Sequence, residues 1–199
     1  MDTVPGLDAL QHITHMLSGM SKDEFSLSNP FWQPRNYGKG DFFNEYRNVC
    51  RYLGLITKGV FRVYKYDEIS RTERNMMFFS QGQLMTSYKS FFDQIPCDYN
   101  VEAMEQAAVM YIHYDNLQHL YNISPAWERF GRRYAEQMLN AVLTGVEGML
   151  FRSPEERYLE LIQLHPHILQ VIPLYHIASY LGIEGPSLSR IRKKLAHRP

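Results

Sequence analysis

The chain has 199 residues, 45% of them hydrophobic and 14% aromatic, enough to bury a sizeable core in one or two domains. Its formal net charge is zero, which excludes a uniformly basic nucleic-acid coat, and no run approaches the roughly 18 consecutive apolar residues of a membrane span. The start, Met1-Asp2-Thr3-Val4-Pro5, lacks the basic-then-apolar layout of a secretory signal, so the expected location is cytoplasmic with no membrane partner.

Cys50 and Cys97 stand 47 positions apart without a C-x-x-C neighbour, which argues against a disulfide framework and a thiolate metal cage. Charge is unevenly placed. From Val171 to Pro199 five basic residues (Arg190, Arg192, Lys193, Lys194 and Arg198) face one acid, Glu184, giving +4 and leaving −4 for residues 1–170.

In chain order, Leu7, Leu10, Ile13 and Leu17 recur at intervals of three and four and predict a short helical lead over 7–27, a surface cover. From Arg35 to Ile112 short apolar runs (Leu53–Thr57, Val60–Tyr66, Met76–Phe79, Val109–Ile112) read as strands. Gly38, Gly40, Gly59 and Gly82 fall between them, where reversals need positive φ. Such spacing favours a sandwich or barrel-like roll. Asp115 is placed to cap a short helix through Tyr121, and Ser124-Pro125 marks the next start, an oxygen-bearing N-cap before a proline.

The helix that follows carries Trp127, Phe130, Tyr134, Met138, Val142, Val146 and Met149 or Leu150 as a stripe longer than a small sheet can cover. A homodimer is expected, with Trp127, Phe130, Tyr134, Met138, Val142 and Gly145 at its interface. Gly131, Gly145 and Gly148 mark places of close approach or bending. Ser153 and Glu156 form a capping box that opens a C-terminal unit. A helix then runs to His165-Pro166, and a short turn carries Ile168, Leu169 and Ile172 to Pro173.

The last segment reads as two helices over a tight turn. Ile177, Ala178 and Leu181 share a face, Gly182 stops the first helix in the left-handed conformation, and Pro186 starts the second. Leu188, Ile191 and Leu195 anchor that second helix, with Ala178 as the small crossing residue and Ile183 beside it. Its outward face presents Ser187, Ser189, Arg190, Lys193 and Lys194 with no acid among them, short donors and cations suited to base edges and phosphates.

On these residues the chain resembles the Crp/Fnr family of transcription regulators. The resemblance rests on Ile177-Ala178-Ser179-Tyr180-Leu181-Gly182-Ile183, on Leu188-Ser189-Arg190-Ile191-Arg192-Lys193-Lys194-Leu195 and on Pro154-Glu155-Glu156-Arg157-Tyr158-Leu159. Upstream, Gly38-Lys39-Gly40-Asp41 and Lys58-Gly59-Val60-Phe61-Arg62-Val63-Tyr64 look like the opening strands of the family's cyclic-nucleotide-binding roll.

The resemblance implies an α+β fold: a jelly-roll-like β-roll effector domain (1–122), a dimerisation helix (123–150) and a helix-turn-helix DNA-binding domain (151–199). It implies double-stranded DNA as the partner, read by Ser187, Ser189, Arg190, Arg192, Lys193 and Lys194 with Arg190 at the base-reading position, and RNA polymerase as a further partner.

The chain departs from the family at the ligand. Binders of cyclic nucleotides grip ribose and phosphate with a Gly-Glu and an Arg-Ser pair, because a buried phosphate needs a fork of donors. Here those positions fall on Thr86-Ser87 and on Pro96 or Cys97, which become the candidates for an effector pocket, and Lys89 nearby reads as solvated. Cyclic AMP is therefore not the expected effector, and two cysteines cannot supply the four ligands of an iron–sulfur cluster. The eight histidines show no metal spacing beyond His165-Pro166-His167, so no metal or cofactor is assigned. A cupin-like enzyme would need histidines on its strands, and residues 35–112 contain none. Gly185-Pro186 stands where the family often has an acidic base reader, and with four residues after Leu195 a C-terminal wing is not expected.

Overall fold

The computed structural model describes residues 6–69 and 71–196. Its N-terminal part is a roll of two four-stranded antiparallel sheets. One runs in the order β1 (Trp32–Tyr37), β8 (Ala107–His113), β3 (Tyr52–Lys58), β6 (Leu84–Met85). The other runs β2 (Phe42–Asn44), β7 (Asn100–Ala103), β4 (Val60–Asp67), β5 (Thr72–Ser80). The four runs read as strands from their apolar content are β3, β4, β5 and β8.

Between the sheets pack Leu55, Phe61, Val63, Val101, Val109 and Ile112, all buried, with Tyr37 and Phe43 meeting Phe61 edge-on. Gly40, Gly59 and Gly82 take the positive φ expected at reversals, whereas Gly38 does not. A helix, α3 (Tyr88–Asp93), interrupts the region read as all strand.

The helices close one side of the roll. α1 (Leu7–Ser18) is more than a surface cover: Leu10 is fully buried and joins the roll's core. α2 (Lys22–Ser26) opens with its own capping box, Ser21 and Glu24. α4 spans Tyr114–Ile123, and its N-cap is His113, whose Nδ1 accepts from the Asp115 N–H at 3.2 Å. The cap expected at Asp115 is thus supplied two residues earlier, because β8 runs straight into the helix and leaves the imidazole beside the first free amides.

α5 (Pro125–Phe151) starts at the expected proline, although the Ser124 side chain makes no cap bond. Its 27 residues span roughly 40 Å at the usual rise. Gly131 marks the expected close approach, since an added Cβ would lie 2.6 Å from the Tyr121 ring.

The α5 stripe divides. Trp127, Phe130 and Tyr134 are buried within the roll's own core; Trp127 meets the Phe25 ring at a tilt and donates from Nε1 to the Glu24 carbonyl at 3.1 Å. Tyr134 hydrogen-bonds Tyr88. These three were expected at a dimer interface, but their faces are already filled by the protomer itself. Met138 is half-buried. The outward stripe is instead Leu139, Val142, Leu143, Val146 and Leu150, between 48% and 70% exposed, at spacings of three and four.

Beyond Arg152, whose backbone is extended, the Ser153–Glu156 capping box opens α6 (Pro154–Leu164) as read from the sequence. α7 (Ile168–Val171), α8 (Leu174–Tyr180) and α9 (Gly185–Ala196) complete a bundle around Tyr158, Leu161, Ile172, Ile177, Leu181 and Leu188. Val60, Phe78 and Met104 of the roll belong to the same buried cluster, so bundle and roll share a core.

Replacing Trp127 by Ala should cost about 3–5 kcal/mol of unfolding free energy in urea titration while leaving self-association unchanged, as expected of a core indole. Weakened association with unchanged stability would put Trp127 back at an interface.

Candidate nucleic-acid interface and domain junction

The two C-terminal helices are held by a turn that glycine makes possible. Gly182 sits at φ 66°, the left-handed region, and the Ile183 N–H returns to the Ala178 carbonyl at 3.0 Å, satisfying an end carbonyl of α8. Ile177, Ala178, Leu181 and Leu188 are buried, and Ile191 and Leu195 pack against them. With the apolar side of α9 fixed, its other side faces outward: Ser189, Arg190, Arg192, Lys193 and Lys194 are exposed and Ser187 is half-buried.

The donors on this face are not equally free. The Ser189 hydroxyl donates to the Gly185 carbonyl at 3.1 Å, and Arg190 Nη2 donates to Ser187 Oγ at 3.3 Å, which leans the guanidinium over the helix start. Lys194 Nζ pairs with Glu155 of α6 at 2.6 Å, an acid that the sequence of α9 alone does not reveal. Among the described residues, Arg190, Arg192 and Lys193 have no carboxylate within ion-pair distance. Arg198 lies outside the described residues.

The pocket candidates of the roll cluster around α3. Thr86, Ser87 and Cys97 are buried, and Pro96 is exposed and bridges Val49. Thr86 Oγ1 donates to the Tyr52 carbonyl at 2.8 Å, and the Cys97 N–H donates to the Asn48 carbonyl at 2.9 Å. Lys89 is exposed. Arg47 reaches Cys97 only through its backbone N–H, and its guanidinium lies over the Tyr46 ring, 5.1 Å from the centroid. Among the described residues no group of three or more His, Cys, Asp or Glu is placed to hold a metal ion.

The junction between roll and bundle holds a polar cluster absent from the sequence reading. Arg62 of β4, with its side chain 6% exposed, donates to Glu102 of β7 at 2.6 Å and to Glu73 of β5 at 2.5 Å, and its guanidinium carbon lies 3.7 Å from the Tyr64 ring centroid. Its Nη1 also faces His176 Nδ1 of α8 at 3.1 Å, and Asn75 Nδ2 faces the same nitrogen at 3.2 Å. A guanidinium only donates, so Nδ1 accepts and the imidazole is neutral. Burial, with Arg62 beside it, pushes the His176 pKa down to about 4, against the weaker pull of Glu73.

One helix turn on, Ser179 acts as a substitute strand partner for β5, the edge of its sheet. Its hydroxyl accepts from the Asn75 N–H at 3.0 Å and donates to the Glu73 carbonyl at 3.0 Å. The one signal for this cluster in the sequence is an arginine set inside the apolar run Val60–Tyr64, where a charge needs partners.

No protein-family model matches the chain, and no curated protein matches it by sequence. The fold, however, is shared with solved structures of Crp/Fnr regulators. FixK2 from Bradyrhizobium japonicum superposes with a TM-score of 0.68 at 15% identity, covering 83% of this chain and 84% of that one. A transcriptional regulator of the Crp/Fnr family from Eubacterium rectale gives 0.66 at 12% identity, covering 89% and 84%. The c-di-GMP-responsive global regulator CLP from Xanthomonas campestris gives 0.63 at 16% identity, covering 88% and 92%.

His176 makes the junction sensitive to acid. The imidazole has an ordinary pKa of 6.5 when unfolded and about 4 when folded, so between these values the unfolded chain takes up a proton that the folded chain refuses. Its contribution is complete above pH 6.5 and falls away as pH drops towards 4. Urea titrations across this window should show that loss in the native chain and a shallower one in His176→Gln; equal slopes would contradict the assignment.

Proposed function

We propose, from the shared Crp/Fnr regulator fold, that this chain is a homodimeric, sequence-specific DNA-binding transcription regulator acting in the cytoplasm together with RNA polymerase. The observation that carries the reading is the outer face of α9. Its apolar anchors are buried, and Arg190, Arg192 and Lys193 project outward without carboxylate partners among the described residues.

Arg190, held against Ser187 near the helix start, is the base reader. A helix N-terminal half is the part that enters a major groove, and a bidentate guanidinium suits guanine. Arg192 and Lys193 contact phosphates. Lys194 joins them by exchanging Glu155 for a phosphate. Ser187 and Ser189 lie at the same end of the helix and complete the polar face.

Dimerisation uses the outward stripe of α5, in which Leu139, Val142, Leu143, Val146 and Leu150 repeat at the spacing of a helix seam. Pairing two such helices places two α9 helices about 34 Å apart on successive major grooves of a pseudo-palindromic site.

The effector is not cyclic AMP. Thr86 and Cys97 are spent on packing and local hydrogen bonds, Ser87 Oγ is buried without a hydrogen-bond partner, and the phosphate-gripping fork has no counterpart among them. That same close packing favours a second reading, in which the roll is a structural dimerisation module without a ligand. Thermal unfolding with saturating cyclic AMP separates these from the family's ordinary behaviour, since a ligand at 100 times its Kd raises stability by about 2.7 kcal/mol.

Arg190→Ala should cost about 1–3 kcal/mol on the selected operator and relax preference at one base pair, while Lys193→Ala should weaken all sequences alike and lower the salt slope by about 1. Fluorescence anisotropy on specific and random duplexes measures both, and equal losses on the two duplexes for Arg190→Ala would contradict its role. Leu143→Glu should shift the chain towards monomer in sedimentation equilibrium without lowering its helix content. A dimer of undiminished affinity would remove α5 as the interface.

A further inference from the structure

We propose that the cavity at the junction of roll, long helix and helix bundle is a binding site for an apolar organic carboxylate. The cavity has a volume of about 450 Å³, within the range of small-molecule sites, and is walled by β5, α5, α6 and α8.

It exists because the side of α5 facing it is built from small residues: Ala141, Thr144, Gly145 and Gly148. A Cβ added at Gly145 or Gly148 would meet nothing within 4 Å. The exposed stripe of α5 borders the same space, since Val142 and Val146 also line it. A second copy pairing through that stripe therefore forms part of the cavity's rim.

The chemistry of the walls selects the occupant. Met76, brought out of register by the bulge in β5, lines the space with Met149, Leu161, Leu164 and Tyr180, an apolar and adaptable surface. The charged and titratable groups facing it are Arg157, Glu160 and His165 of the α6 side. Glu160 is paired with Arg152. The His165 ring is hydrogen-bonded to Ser80 Oγ at 3.2 Å, and burial lowers its pKa, which keeps it neutral.

Arg157 is left as a cation with no carboxylate partner among the described residues. Its Nη2 donates to the Leu181 carbonyl at 2.8 Å, and its Nε has no acceptor. One unmatched guanidinium above an apolar chamber complements a single carboxylate on a hydrocarbon body. A cationic or polyanionic ligand fits neither the charge nor the walls.

The site spans both halves of the molecule, so an occupant touches Asn75–Met77 of the roll and Arg157, Leu161 and Tyr180 of the bundle together. Binding then holds the bundle in the orientation set by the Arg62–His176 contact. Any consequence for DNA rests on the regulator reading above; the binding itself does not.

The test is titration calorimetry on the full chain with three probes of one length: decanoate, 1-decanol and decyltrimethylammonium, each below its micellar or solubility limit. Decanoate should bind once per chain, decanol at least about tenfold more weakly, and the ammonium not at all. Arg157→Gln should reduce decanoate to the level of decanol. Gly145→Leu, which fills the chamber and improves the helix, should abolish binding while keeping the melting temperature. Equal binding of the three probes, or undiminished decanoate binding in Gly145→Leu, would overturn the proposal. Should Arg157→Gln fail to fold for want of its bond to Leu181, the probe series and Gly145→Leu still decide. None of these readouts uses DNA, so a negative result leaves the α9 assignment standing, and a failed operator selection leaves the cavity assignment standing.

Discussion

Moving a guanidinium out of water costs several kcal/mol unless carboxylates and hydrogen-bond acceptors meet it at close range, and Arg62 sits nearly sequestered where the β-roll joins the helix bundle. Glu102 and Glu73 arrive from the strands on either side of β4, and Tyr64 covers the flat face of the cation. The remaining edge points at His176, which must accept and so must stay neutral. A polar requirement of one strand thereby dictates where the first helix of the helix-turn-helix can sit. Ser179 then mates with the free edge of β5, and Phe78 and Tyr180 close the apolar part of the same contact. Orientation of α9 follows, because α8 carries it over a four-residue turn anchored by Ala178 and Leu188.

The long helix divides its surface between the roll and the junction. Its first half spends Trp127, Phe130 and Tyr134 on the roll; its second half carries exposed leucines and valines, and Val142 and Val146 among them border the junction cavity together with Ala141, Thr144, Gly145 and Gly148. The small residues leave room at the junction. Such a helix joins the roll, the junction and the bundle. Its last residue leads through the extended Arg152 directly into the capping box of α6.

Much of this was readable from local rules. The Ser153–Glu156 box, the proline at the start of α5, the glycine between α8 and α9 and the 3.6-residue period of the anchors each depend on residues within a turn or two of one another, and the structure has them all. What was not readable depends on distance in space. The stripe of α5 looked continuous because periodicity does not reveal where a neighbouring sheet ends. Trp127, Phe130 and Tyr134 were therefore assigned to a partner that the roll itself replaces, and Leu139 and Leu143 were overlooked. His113 displaced Asp115 as a cap because the direction in which β8 delivers the chain is a tertiary property. The Glu155–Lys194 pair and the Arg62 cluster join residues 11 to 114 positions apart and leave no mark beyond a charge in an unexpected setting. The likeness to solved structures supports the fold over most of the chain.

Selection of bound duplexes from a random or genomic pool, followed by hydroxyl-radical footprinting of the enriched sequence, tests the central claim most directly. A dimer reading DNA through α9 predicts an inverted repeat whose two protected segments are centred about one helical turn, roughly 34 Å, apart on one face of the duplex. Failure to enrich any sequence over random DNA, or a single protected segment without a repeat, would contradict it.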